Sequence, residues 1–312
     1  MIKKFADMMY TDSHSDHVKL SYYGEVENVR FMIVCPHASM GLPFLNRFPE
    51  IYTAIKVPIM QFMRYLSVEQ DFGSGELAHN IARFLHENFQ INTLIVEPQM
   101  PRAILDPGRI YPHCIRNIIE FQQYPKLYEN LRRVHQHYIS RLNHLIELLN
   151  SRRGILLDLH TMSPFSPEHT KEESYTEAML ETPSTLGRYT EIYLVAHRNG
   201  IKRDIQFLTG DPDHHVYADP VFLANMTNQF SKNGYQIAYD RPYRIASHLM
   251  GFQLMKKTRA ASIDIPKHYL STKDSHDPEF DLSNLIIDDQ KIQKIGQNLA
   301  IAVGNTLYGD DR

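Results

Sequence analysis

An α/β fold, with a mixed and mostly parallel sheet covered by helices on both faces, is what this sequence predicts, on three observations. Short apolar or β-branched runs alternate with segments of helical periodicity. The best of those runs are apolar throughout, as expected of strands buried on both faces. The 312 residues contain no internal repeat, no low-complexity tract and no Pro/Gly-rich linker long enough to divide the chain into separate domains. The expectation is therefore one domain over 1–312 with long loops.

The elements follow in order. Val29–Cys35 (VRFMIVC) reads as a buried strand stopped by Pro36. Glu76–Phe89 reads as a helix, with Leu77, Ile81, Phe84 and Leu85 on one face. Thr93–Val96 is a second strand, ended by Pro98. Lys126–Asn150 is the longest helix, with Leu127, Leu131, Val134, Tyr138, Leu142, Leu145 and Leu149 forming one stripe. Gly154–Leu159 and Glu191–Ala196 are further strands. Asp219 and Pro220 form an N-cap and first-turn pair opening a helix to about Lys232. Tyr235–Tyr239 and Ala261–Ile265 are strands, and Asp288–Leu307 is a closing helix. The stretch Thr161–Arg188 is rich in Ser, Thr, Glu and Pro and reads as a long active-site loop or lid.

Composition excludes several classes. A net charge of −3, with 43% hydrophobic and 22% charged residues, describes an ordinary globular chain, neither disordered nor a basic nucleic-acid binder. Two cysteines, Cys35 and Cys114, make no disulfide scaffold and point to a reducing compartment. No apolar run approaches the 18 or so residues of a membrane span, and no signal-peptide core follows the first residues. The expectation is a soluble, cytoplasmic protein with neither a nucleic acid nor a membrane as partner. Seventeen histidines are present and no tryptophan. Histidine ligates metal and moves protons near neutral pH, so position has to decide which of them do so.

In open α/β sheets, ligands bind beyond the carboxyl ends of the strands. The polar residues there are His37 after the first strand, Asp158 and His160 at the end of the third, and Arg109 in the turn Asp106-Pro107-Gly108-Arg109. Asp264 stands alone inside the apolar run SIDI. Two strand-end histidines plus a carboxylate suit a catalytic zinc site, which takes three protein ligands and keeps one position for water. A second carboxylate would serve as general base and an arginine as an oxyanion or carboxylate contact. Each has a bland alternative. A strand-end histidine is often only a loop residue, and Asp158 either orients an imidazole or satisfies backbone donors. Asp264 is harder to dismiss, because a buried carboxylate requires a partner.

The ordered set His37 (VCPHAS), Asp71 (QDFGSGELA), Arg109 (ILDPGR), His160 (LLDLHTM), Pro242-Tyr243 (DRPY) and Asp264 (SIDIPKHYL) resembles the N-formylglutamate amidohydrolase family. That family is related to zinc carboxypeptidases and to deacylases of N-acylated acidic amino acids. The resemblance runs from about residue 29 to 308. It implies a phosphorylase/hydrolase-like α/β fold and a single catalytic zinc ion whose water cleaves an amide. His37 and His160 match the histidine ligands and Asp71 the third ligand, with Glu69 as an alternative two residues earlier. Arg109 matches an arginine expected to contact the substrate carboxylate or the oxyanion, and Asp264 the strand glutamate expected as general base. Tyr243 and His215 are expected to face the substrate, a small N-acyl amino acid or acidic amide. Two residues depart from the pattern: Gly108 stands where asparagine is usual, and Asp264 is one methylene shorter than glutamate. Both leave the acyl group and the amine open.

Asp211-Pro212-Asp213-His214-His215 looks like a second metal cluster, but it lacks the glycine and distal glutamate of a calcium loop, and Asp219 is better used as a helix cap. The helix histidines His79, His86, His135, His137 and His144 read as surface or packing residues. There is no HExxH, no nucleophile elbow and no phosphate-binding glycine loop. Two readings follow: a zinc amidohydrolase, or a catalytically degenerate protein on the same scaffold that binds a small acidic ligand or a partner.

Overall fold

The computed structural model describes residues 17–166, 186, 187, 189, 201–211, 213–241, 243–274, 282 and 284–310. Their main sheet has seven strands. In chain order these are β1 (Val18–Tyr23), β2 (Phe31–Val34), β3 (Thr93–Pro98), β4 (Ile155–Met162), β7 (Ile205–Leu208), β8 (Ile237–Tyr239) and β9 (Ala260–Pro266). A small separate ladder pairs β5 (Phe165–Ser166) with β6 (Ile201–Lys202). The main sheet lies in the order β1-β3-β2-β4-β9-β7-β8. Its central four strands, β3, β2, β4 and β9, are parallel. β1 is antiparallel at one edge, and β7 runs antiparallel to β9 with β8 parallel to it. The expected mixed, mostly parallel α/β sheet is therefore present.

Successive residues of a strand face opposite sides, and the sheet separates two apolar cores on that basis. Met32, Val34, Leu94, Val96, Leu156 and Ala260 pack on one side against α1 (Leu42–Arg47), α2 (Ile51–Ala54), α3 (Ile59–Glu69), α5 (Pro125–Ser151) and α7 (Met250–Lys257). Phe31, Ile33, Ile95, Leu157, Leu159 and Ile263 pack on the other against α4 (Ser74–Phe89), α6 (Pro220–Lys232) and α8 (Asp289–Asp310). On β4 and β9 the even-numbered positions share the α3/α5/α7 side. Asp158, His160, Ser262 and Asp264 therefore point the same way. The register sets His160 beside Asp264 and Asp158 beside Ser262.

The helices and strands begin and end within a few residues of their expected bounds. Asp219 caps α6 as expected, its Oδ1 accepting from Phe222 N at 2.8 Å. β1, β7, α3 and α7 come in addition to the elements read from sequence. The expected strand Glu191–Ala196, and residues 167–185 and 188 of the expected lid, lie outside the described residues. No helix among the described residues is long and apolar enough to cross a membrane.

Candidate active site

The carboxyl ends of β2, β4 and β9 open into a cavity of about 300 Å³. His37 follows β2, two residues past Cys35. Asp71 lies in the turn between α3 and α4, and that turn is tied to the end of β2 by Asp71 N donating to His37 O at 2.9 Å and Gln70 Nε2 to Ala38 O at 2.8 Å. The turn closes on Gly73, whose φ of +77° suits only glycine without strain. His160 projects from β4 itself.

These three side chains converge. The two Nδ1 atoms of His37 and His160 lie 3.3 and 3.1 Å from the same oxygen, Asp71 Oδ2. Each ring also meets a second carboxylate at its other nitrogen: Asp106 Oδ1 is 2.8 Å from His37 Nε2, and Asp158 Oδ1 is 3.1 Å from His160 Nε2. Ser262 Oγ donates to the far oxygen of Asp158 at 3.0 Å. A neutral imidazole has one N–H, and a carboxylate only accepts. If Asp106 and Asp158 take the Nε2 protons, two Nδ1 lone pairs point at one carboxylate oxygen, and either a further proton on a ring or a metal cation among the three relieves the repulsion. Burial disfavours a charged ring, yet Asp158 and Asp71 push His160 well above the ordinary imidazole range. The site asks for positive charge.

The donor set fits zinc. Its three donor atoms lie within 4.8 Å of one another. Donors 2.0–2.1 Å from a shared tetrahedral centre are separated by roughly 3.3 Å, the order of spacing found at Asp71. A carboxylate fixing the second nitrogen of each imidazole is the usual support of a histidine ligand. Glu69 is engaged elsewhere: Tyr189 Oη donates to its Oε1, and Arg102 Nε and Arg116 Nη2 lie 3.3 and 3.9 Å from Oε2. Burial opposes ionisation of Glu69, but these cations hold it below its ordinary value.

Gly108 gains a physical reason here. A Cβ at this position would stand 2.7 Å from His37 Nε2 and 3.2 Å from Asp106 Oδ1, so no side chain fits while the two are paired. Arg109 Nε lies 3.2 Å from Asp106 Oδ2, and the Arg109 carbonyl meets His135 Nε2 at 2.9 Å. His135, read as a surface or packing residue, is thus buried and steadies this turn.

Asp264 is 8% exposed and borders the cavity, and its Oδ1 has no hydrogen-bond partner among the described residues. Burial pushes its carboxyl up to about 7, against the pull of the His160 ring. Tyr243 also borders the cavity; Arg203 Nη1 donates to its hydroxyl at 3.3 Å. His215 does not. Its side chain is 69% exposed and paired with Asp211 at 3.2 Å, away from the cavity wall. Pro242 lies outside the described residues. Sequence reasoning missed Asp106, Arg102, Arg116, Tyr189 and Lys267. The one available signal was Asp106 together with Arg102, Arg109 and Arg116, an aspartate and three arginines within fifteen residues around a Pro/Gly turn.

The fold is similar to two crystal structures. One is an N-formylglutamate amidohydrolase from Ralstonia eutropha, with a TM-score of 0.56 at 12% identity over 95% of this chain and 99% of that one. The other is a gene product of Agrobacterium tumefaciens, with a TM-score of 0.52 at 14% identity over 97% of this chain and all of that one. At such identity the likeness establishes the fold. No family model and no curated protein matches the chain.

Proposed function

We propose that the protein is a zinc-dependent amidohydrolase that cleaves the amide of an N-acyl amino acid or a related small acidic amide. The observation that carries this reading is the carboxylate bracket around both imidazoles, with Asp71 Oδ2 shared between two Nδ1 atoms. His37, Asp71 and His160 would hold one zinc ion per chain. When bound, zinc supplies a Lewis acid and lowers the pKa of a water in its open position to about 7.

The chain's own residues do the rest. Asp106 and Asp158 hold the two imidazoles in one tautomer and orientation. Asp264, at the carboxyl end of β9, accepts the proton of the attacking water at its carboxylate and returns it to the leaving nitrogen. The acyl carbon gains the water oxygen, the carbon–nitrogen bond breaks, and a carboxylate and an amine leave. Asp264 is shorter than glutamate, but its register position beside His160 already sets it at the reacting end of the sheet. Arg109 contributes positive charge to the developing oxyanion while balancing Asp106. Tyr243 supplies an aromatic wall to the substrate pocket.

The test is metal analysis of protein purified without added zinc, together with hydrolysis of N-formyl and N-acetyl amino acids. Near-stoichiometric zinc that disappears in a His37→Ala, His160→Ala double variant supports the reading. Absence of metal, with no affinity for added zinc, overturns it.

A further inference from the structure

Lys267 takes no part in the imidazole–carboxylate arrangement. It begins a short 3-10 turn, Lys267–Tyr269, three residues past Asp264 at the carboxyl end of β9. It is 3% exposed and belongs to the cavity wall. An ammonium has three donors. One of them reaches Val68 O at 3.0 Å, in the last turn of α3. That contact suits a cation at a helix C-terminus, and it accounts for one donor. Lys267 makes no ion pair with any described residue.

The surrounding carboxylates are already taken. Glu69 is held by Tyr189, Arg102 and Arg116, and Asp71 by the two imidazoles. Two arginines of the cavity wall arrive neutralised: Arg102 approaches Glu69, Asp71 and Asp106, and Arg109 approaches Asp106, while the third, Arg244, is only half-buried. Lys267 differs from both, because a buried cation without a counter-charge is disfavoured until one arrives. Burial draws its amine down to about 8, with Asp71 and Glu69 acting from beyond ion-pair distance in the opposite sense.

We propose that Lys267 is the carboxylate anchor of the cavity, forming with the acid group of an N-acyl amino acid the ion pair it forms with no described residue. The proposal builds on the amidohydrolase reading and moves the anchoring role from Arg109, whose charge Asp106 already meets, to Lys267, three residues past Asp264 in the same SIDIPKHYL run. Arg109 keeps its role at the oxyanion and on the turn that supports His37.

Glutarate tests this without hydrolysis, since it has carboxylates and no amide. It is titrated calorimetrically into the zinc-loaded full-length protein, the Lys267→Met variant and the Lys267→Arg variant, with zinc content and thermal melting measured alongside. The expected result is glutarate binding by the wild type, weakened roughly 10–100-fold in Lys267→Met and partly restored in Lys267→Arg, with zinc content unchanged. Equal affinity in all three, or no binding by the wild type, overturns the proposal. So does a Lys267→Met variant that melts early while a folded Lys267→Arg binds no better, because Lys267 is then only the cap of α3. If the protein binds no zinc but glutarate binding still depends on Lys267, the amidohydrolase reading fails and the anion site stands.

Discussion

Among the described residues, two groups of histidine and carboxylate side chains bring three potential ligand atoms within 4.8 Å of one another: His37, Asp71 and His160 in the cavity, and Asp211, Asp213 and His215 on the surface. The surface group comes from a single turn that satisfies itself. Asp211 Oδ1 accepts from His215 N at 3.0 Å, and its Oδ2 meets His215 Nδ1 at 3.2 Å and accepts from the Tyr217 hydroxyl at 2.9 Å. The buried group comes from two strand ends and a turn held together by the sheet, and each of its imidazoles is fixed from behind by a further carboxylate. Proximity of ligand types is common. A second carboxylate that dictates which ring nitrogen keeps its lone pair is the rarer condition.

The comparison breaks most decisively on metal content. Replacing His37 and His160 by alanine is expected to remove all bound zinc and all hydrolysis, while Asp213→Ala with His215→Ala leaves one zinc per chain, as read by elemental analysis. Two zinc ions per wild-type chain, one of them lost with His215, would put the surface cluster on an equal footing. Next in size is Asp264→Asn, expected to lower the hydrolysis rate by roughly 10²–10⁴ while keeping the metal. An unchanged rate removes Asp264 from proton transfer. Gly108→Ala then tests the support behind the ring. Its methyl would displace His37 or Asp106 and weaken zinc binding by about 10–100-fold in a competition titration with a chelator. Full retention of affinity would show that the Asp106 contact is dispensable.

The smallest effect comes from a control on the other face of the sheet. Glu97 pairs with Lys19 at 2.6 Å, with His79 at 3.4 Å, and no second carboxylate stands behind the imidazole. Burial opposes ionisation of Glu97, but His79 and Lys19 hold its carboxyl below the ordinary value. A depressed carboxylate stabilises the fold above its unfolded pKa, about 4.3, and that contribution is lost as pH falls through the folded value. Glu97→Gln is therefore expected to lower stability at pH 7 by about 1 kcal/mol, a modest figure because Lys19 is 38% exposed. It should also flatten the decline below pH 4 in urea titrations, with zinc content unaltered. Loss of metal in this variant would mean that the two faces are coupled.

The strand-borne half of this site was legible from the chain because strands announce their ends. The runs Val29–Cys35 and Ala261–Ile265 place His37 and Asp264 by position alone, and the two-residue period puts Asp158 under His160. The loop-borne half was not. Asp106, Arg102 and Arg116 meet at Glu69 and His37 through a stretch held by isolated bridges such as Leu105 to Ile115, which no periodicity encodes. Lys267 reads as an ordinary strand-end lysine until its burial and single acceptor are known. His215, expected to face the substrate from its place in the family resemblance, instead sits on an exposed turn paired with Asp211 and does not line the cavity. β7 escaped notice as a four-residue run whose place in the sheet depends on its pairing with β9 and β8.

Gly108 and Gly251 are the two positions without side chains that border this chemistry. A Cβ at Gly251 would fall 2.8 Å from Asp158 Oδ2, much as one at Gly108 would fall on His37. Each glycine thus sits against one of the two imidazole–carboxylate couples, as a cast records the object it was poured around. A saturation scan should find both positions intolerant of substitution for a reason unrelated to backbone freedom, since neither has a positive φ. The pattern carries a general use: a glycine that tolerates nothing, yet has no need of a left-handed conformation, signals that a buried polar couple lies directly opposite.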